Sequence, residues 1–277
     1  MDSLVTTEWL AEELDKPDLR VVDATYFLDR DARAKFENAH IPGAVFMDLV
    51  ELADKDSDLP GMAPSSEKFA SRMQSIGLGD GSRIVVYDDS DLKTAARAWW
   101  MLKTYGAHEV AILDGGLAKW KSEGRPLESG KATVRHRHFT VWKDESEIRS
   151  FEQMKDNQQS KAEQVVDARP APRFTGEEDD PREGVDAGHI RGAKNVPHNE
   201  LFNDDGTYKS VEELRQIFLN AGIEPSSPVV TMCGSGVTAA ALSFALHLIG
   251  AEKTALYDGS WAEWGGRSDT SKVTGPA

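Results

Sequence analysis

The sequence predicts an α/β protein of two tandem domains, each a mainly parallel sheet flanked by helices. Two observations carry this: the chain repeats itself, and each copy alternates short β-rich runs with helical patterns. Val22-Asp23-Ala24 returns as Val166-Asp167-Ala168, and His40-Ile41-Pro42-Gly43-Ala44 returns as His189-Ile190-Arg191-Gly192-Ala193. Residues 94–120 then match residues 238–264 at 11 of 27 positions, among them Thr94, Leu102, Gly106, Asp114, Gly115 and Trp120. A repeat of this length exceeds a solenoid unit and reads as a duplicated domain.

The elements follow in order. In the first copy Ile84-Val85-Val86-Tyr87 predicts a strand, residues 94–105 a helix and Val110-Ala111-Ile112-Leu113 a second strand. In the second copy the strands are Val165-Val166, Val229-Val230-Thr231-Met232 and Thr254-Ala255-Leu256-Tyr257. A buried helix over 238–249 joins the last two. Gly106 and Gly250 stand where helices end. The second copy gains about five residues near 174–185, a polar stretch containing Gly176-Glu177-Glu178-Asp179-Asp180-Pro181. The expected division is 1–124 for the first domain, 125–143 for a basic linker and 144–277 for the second domain.

Bulk properties limit the function. The 277 residues are ample for two cores, and 39% hydrophobic with 29% charged residues reads as globular. No apolar run approaches the roughly 20 residues of a membrane helix. Met1-Asp2-Ser3-Leu4 lacks a secretory start, so a cytoplasmic location is expected. A net charge of −15 argues against nucleic acid as a partner but permits a small anion in a local arginine cluster. A single cysteine excludes an intramolecular disulfide and a cysteine-based metal cluster.

The copies differ where chemistry is expected. Aligned without gaps, Cys233 falls on Asp89, and Gly234-Ser235-Gly236 falls on Ser90-Asp91-Leu92. The loop Cys233-Gly234-Ser235-Gly236-Val237-Thr238 lies between a strand and a helix, where open α/β sheets bind ligands. Its glycines let backbone N–H groups turn inward, and the helix start adds positive partial charge. That setting favours a thiolate and would also hold the anionic sulfur of a persulfide. Cysteine-dependent phosphatases carry Arg six positions after the Cys; here that position is Ala239. Arg173 and Arg182 flank the extra stretch and suit a carboxylate. Arg169, replaced by Thr25 in the first copy, is read as a structural ion-pair partner of an acid in loop 176–186. His40 and His189 occur in both copies and are read as structural. Trp99, Trp100, Trp261 and Trp264 are read chiefly as packing.

Together these features resemble the tandem rhodanese family over nearly the whole chain. The carriers are two copies, the HIPGA-like turns, the segments Asp114-Gly115-Gly116 and Asp258-Gly259-Ser260-Trp261, and a Cys loop in the second copy only. The loop Cys233-Gly234-Ser235-Gly236-Val237-Thr238-Ala239 is similar to the 3-mercaptopyruvate sulfurtransferase branch; the thiosulfate branch usually carries Arg and Lys directly after the Cys. The resemblance implies a Cys233 persulfide and a role for Ser235 or water in proton relay. It implies a donor site of Arg173, Arg182, Gly234, Gly236, Val237 and Thr238, with no metal or organic cofactor. The implied partners are a small anionic sulfur donor and a thiol acceptor such as thioredoxin, or cyanide. Val50 and Gly61 depart from the branch, standing where it has an acidic residue and a His; Asp48, Glu51 or a nearby aspartate are candidate stand-ins. The competing expectations are thiosulfate sulfurtransfer and a non-catalytic redox-sensing or binding module.

Overall fold

Strands form where β-branched residues crowd together. The first half holds β1 (Leu4–Val5), α1 (Thr7–Glu13), β2 (Leu19–Asp23), α2 (Ala32–Asn38), β3 (Val45–Phe46), α3 (Leu49–Leu52) and α4 (Ser66–Ser75). Then come β4 (Arg83–Tyr87), α5 (Ala95–Thr104), β5 (Glu109–Leu113) and α6 (Gly116–Ser122). The second half holds β6 (Ile148–Arg149), α7 (Phe151–Ser160), β7 (Gln164–Asp167), α8 (Ala171–Thr175), β8 (His189–Ile190) and β9 (Lys194–Asn195). It closes with α9 (Val211–Asn220), β10 (Val229–Met232), α10 (Ala239–Leu248), β11 (Thr254–Tyr257), α11 (Ser260–Gly266) and β12 (Lys272–Val273). The computed structural model describes residues 1–276.

Each half builds a five-stranded sheet. The orders are β1-β5-β4-β2-β3 and β6-β11-β10-β7-β9, with every neighbouring pair parallel. The central strands β4 and β10 are buried along nearly their whole length, as covered parallel strands must be. Strands β8 and β12 form a separate antiparallel pair. By contacts, one unit comprises Met1–Asp54, Ala63–Asp144 and Asn203–Tyr208, and the other Lys55–Met62, Glu145–Phe202 and Lys209–Ala277. Each unit therefore includes a short stretch of the other copy's sequence.

Helix ends follow local chemistry. Thr6, Asp31, Ser65, Ser150 and Ser210 each cap a helix through a side-chain oxygen, and Ser150–Gln153 and Ser210–Glu213 complete capping boxes. Helices α5 and α10 are among those that lack such a cap, starting at Thr94 and Thr238. Gly106 and Gly250 do end these helices, with φ of 99° and 81°.

The extra stretch of the second copy also relocates a helix. In the first copy Phe36 of α2 stands four residues before His40; in the second, Phe174 of α8 stands fifteen before His189. The coil that precedes α2 is mostly replaced by coil that follows α8.

Candidate active site

Cys233 follows the last residue of β10, the middle strand of its sheet, and is 2% exposed. Its N–H donates to Ser260 Oγ at 3.1 Å, and that hydroxyl donates to the Tyr257 carbonyl at 2.8 Å. The first turn of α11 grips the loop from the same side: Trp261 N–H donates to the Cys233 carbonyl and Ala262 N–H to that of Gly234. Ser260 has φ of 51°, a conformation few non-glycine residues adopt. The first copy has Gly116 at this place, so a side chain has been kept under strain where it anchors the cysteine backbone.

Beyond Cys233 the chain curls through Gly236, with φ of 76°, into α10. The backbone N–H groups of Ser235, Val237 and Thr238 have no hydrogen-bond partner among the described residues. Neither has the Ser235 hydroxyl. With the helix start, these amides make a site of positive partial charge directly after the thiol.

The first copy shows what such a loop does. Asp23 pairs with Tyr87, whereas Asp167 pairs with Met232. Leu117 N–H donates to the Asp88 carbonyl just as Trp261 N–H donates to that of Cys233. Cys233 therefore corresponds to Asp88, one residue earlier than the ungapped alignment indicates, because the first-copy loop is one residue longer. The Asp88 carboxylate accepts from Thr94 N–H at 2.8 Å, Ser90 N–H at 3.4 Å and Ser90 Oγ at 3.0 Å. There, an internal carboxyl oxygen takes the amide at the start of α5; at α10 that amide is open.

Arg173 and Arg182 are brought together by a residue that no motif in the sequence singles out. Asp180, whose side chain is 1% exposed, accepts from Arg173 Nη2 at 2.6 Å and from Arg182 Nη1 at 3.0 Å. It also accepts from Arg182 N–H at 3.1 Å. Arg182 reaches the cysteine loop: a Cβ on Gly234 would lie 3.0 Å from Arg182 Nη2. Glycine after the cysteine is thus what admits the guanidinium. Asp180 was hidden among four consecutive acids; its place two residues before Arg182 was the available signal.

Arg169 is structural, but its partner is Asp167 rather than an acid of loop 176–186. The two form a buried bidentate pair, with Nη2 to Oδ2 at 2.7 Å and Nε to Oδ2 at 2.9 Å. Arg169 also lies over the Trp261 ring, 4.4 Å from its centroid. His40 and His189 stack on Phe36 and Phe174, and their Nδ1 atoms bond to the carbonyls of those same residues. They brace a helix rather than the HIPGA-like turn itself. Trp261 and Trp264 are buried in the second core.

Gly61 belongs to the unit that holds Cys233, and a Cβ there would lie 3.3 Å from the Ser235 carbonyl. Val50 is 52% exposed. Asp48 caps α3 through Val50 N–H and Glu51 N–H and pairs with Arg33, and Glu51 pairs with Arg72. These two candidate stand-ins are thus engaged in surface ion pairs.

A duplicated α/β protein whose second copy sets one thiol before open loop amides and beside an arginine is the class that fold and site define. The Rhodanese-like domain matches residues 6–123 and 150–267, and the chain belongs to the rhodanese family. It is 40% identical to human (Homo sapiens) 3-mercaptopyruvate sulfurtransferase, over 95% of this chain and 91% of that protein. It is 39% identical to thiosulfate sulfurtransferase of Cricetulus griseus, over 95% and 91%. The crystal structure of SseA from Escherichia coli, described as a 3-mercaptopyruvate sulfotransferase, superposes with a TM-score of 0.87 at 38% identity, covering 94% of this chain and 99% of that one.

Proposed function

We propose that the protein is a 3-mercaptopyruvate sulfurtransferase that works through a persulfide on Cys233. The observation that carries this reading is the set of open amides at Ser235, Val237 and Thr238, next to the protein's single thiol and to Arg182. Arg173 and Arg182 hold the donor carboxylate. The Cys233 thiolate attacks the donor sulfur, the carbon–sulfur bond breaks, and its electron pair leaves on pyruvate enolate. The proton of the donor thiol passes to the enolate carbon, with Ser235 or water as relay. The loop amides stabilise the outer sulfur anion that remains. An acceptor thiolate, such as that of a thioredoxin, or cyanide then takes this sulfur and frees the Cys233 thiolate.

Thiosulfate is the second reading, favoured by relatives of that name at nearly equal identity. Against it, no Lys or Arg follows Cys233 within the loop to meet a dianion. Comparing kcat/KM for the two donors decides between them, and mercaptopyruvate is expected to be the better. Mass spectrometry after donor treatment should find one added sulfur atom, on Cys233. Full turnover by Cys233→Ser would end both readings.

A further inference from the structure

Asp180 has a composition of contacts that a loop-bracing carboxylate does not need. It is buried, it touches two guanidiniums, and it leaves specific donors over. Arg182 Nη2 makes no hydrogen bond among the described residues and lies against Gly234. Arg173 Nε is buried without a hydrogen-bond partner among the described residues. The main chain reinforces the clamp, since Pro181 restricts the backbone between Asp180 and Arg182, and Asp180 accepts the Arg182 N–H.

We propose that Asp180 determines donor specificity: by joining Arg173 to Arg182 it fixes both guanidiniums and cancels one of their two charges. The pair then presents one net positive charge beside the cysteine loop. That balance matches a monocarboxylate donor, whose sulfur is held separately by the loop amides. It leaves a dianion such as thiosulfate without a second cation. This rests on the reading of the two arginines as the donor site. Asp180 acts as a positioning residue, through the arginines rather than on the reacting atoms.

The test uses the full chain and both donors. Asp180→Asn keeps the shape and removes the charge. Its ratio of kcat/KM for thiosulfate over mercaptopyruvate should rise about 10-fold, mainly through KM, because a desolvated charge pair has lost one partner. Asp180→Glu restores the charge and should keep the wild-type ratio even if both KM values rise. Should Asp180→Asn fail to fold, Asp180→Ser, also small and neutral, is read by the same ratio. A brace without electrostatic function would slow both donors alike. An unchanged ratio in the neutral variants, while Arg182→Met raises KM for mercaptopyruvate, overturns the role of Asp180 alone. An Arg182→Met variant with unchanged KM for both donors overturns the arginine reading and this proposal with it.

Discussion

At the scale of single residues, the two copies solve one electrostatic problem differently. Each ends its second main strand in a buried aspartate, Asp23 or Asp167. Asp167 is neutralised by Arg169, whereas the Asp23 carboxyl has only Thr25 and Tyr87 as hydrogen-bonding partners among the described residues. Burial therefore pushes the Asp23 carboxyl up to about 6. A folded state that holds this proton more tightly than the unfolded chain is favoured at low pH. Its contribution is fully present below about pH 4, declines as pH rises to about 6, and is level above that. Asp23→Asn keeps an acceptor for Thr25 N–H and should be the more stable chain at pH 7, by up to about 3 kcal/mol. Urea denaturation of both proteins across pH 4 to 8 checks this; a stability difference that does not grow between pH 4 and 6 contradicts it. Contrast between the copies marked Arg169 as special in the sequence. Its partner was not legible, because a bidentate pairing two residues away depends on how the backbone turns after the strand.

Among elements, the strand–loop–helix unit was the most legible part of the chain. The runs at 84–87, 110–113, 229–232 and 254–257 are strands, and the patterns at 94–105 and 238–249 are helices to within a residue or so. Their periodicity and end glycines carry that information locally. The one-residue slip that sets Cys233 on Asp88 was not legible, since identities on the following helix fix the alignment there and say nothing of loop length. The slip has a consequence for the chemistry: this fold places an acceptor at this point in both copies, a carboxyl oxygen in one and, in the proposed persulfide, sulfur in the other. Asp88→Ala should strip the buried amides of Ser90 and Thr94 of their acceptor and cost about 2–3 kcal/mol. Asp88→Asn, which retains a carbonyl oxygen, should lose clearly less. Denaturation midpoints of the two variants measure the difference. Equal, negligible losses would mean that the loop amides do not require an acceptor at this point in the first copy.

At the scale of the whole molecule, duplication was visible as a repeat, but the exchange of short segments was not. Lys55–Met62 groups with the unit that contains Cys233, and Asn203–Tyr208 with the unit built mainly from the first copy. Repeated motifs reveal equivalent positions, whereas segment membership depends on three-dimensional contacts that no local pattern encodes. Gly61 makes the point testable. It has φ of 75°, and an added methyl would lie 3.3 Å from the Ser235 carbonyl, a contact that requires the loop to yield by a few tenths of an ångström. Gly43 has nearly the same conformation, φ of 73°, yet none of the described residues lies within 4 Å of its added methyl. Both Gly→Ala changes impose a similar backbone penalty, about 1 kcal/mol. Only Gly61→Ala should also displace the Ser235–Gly236 peptide, lowering kcat for mercaptopyruvate about 10-fold, since small misplacements of reacting groups are expensive. Gly43→Ala should lose comparable thermal stability and keep its kcat. Parallel melting curves and turnover measurements separate strain from displacement. If both variants retain full kcat, the stretch from the first copy does not shape the cysteine loop.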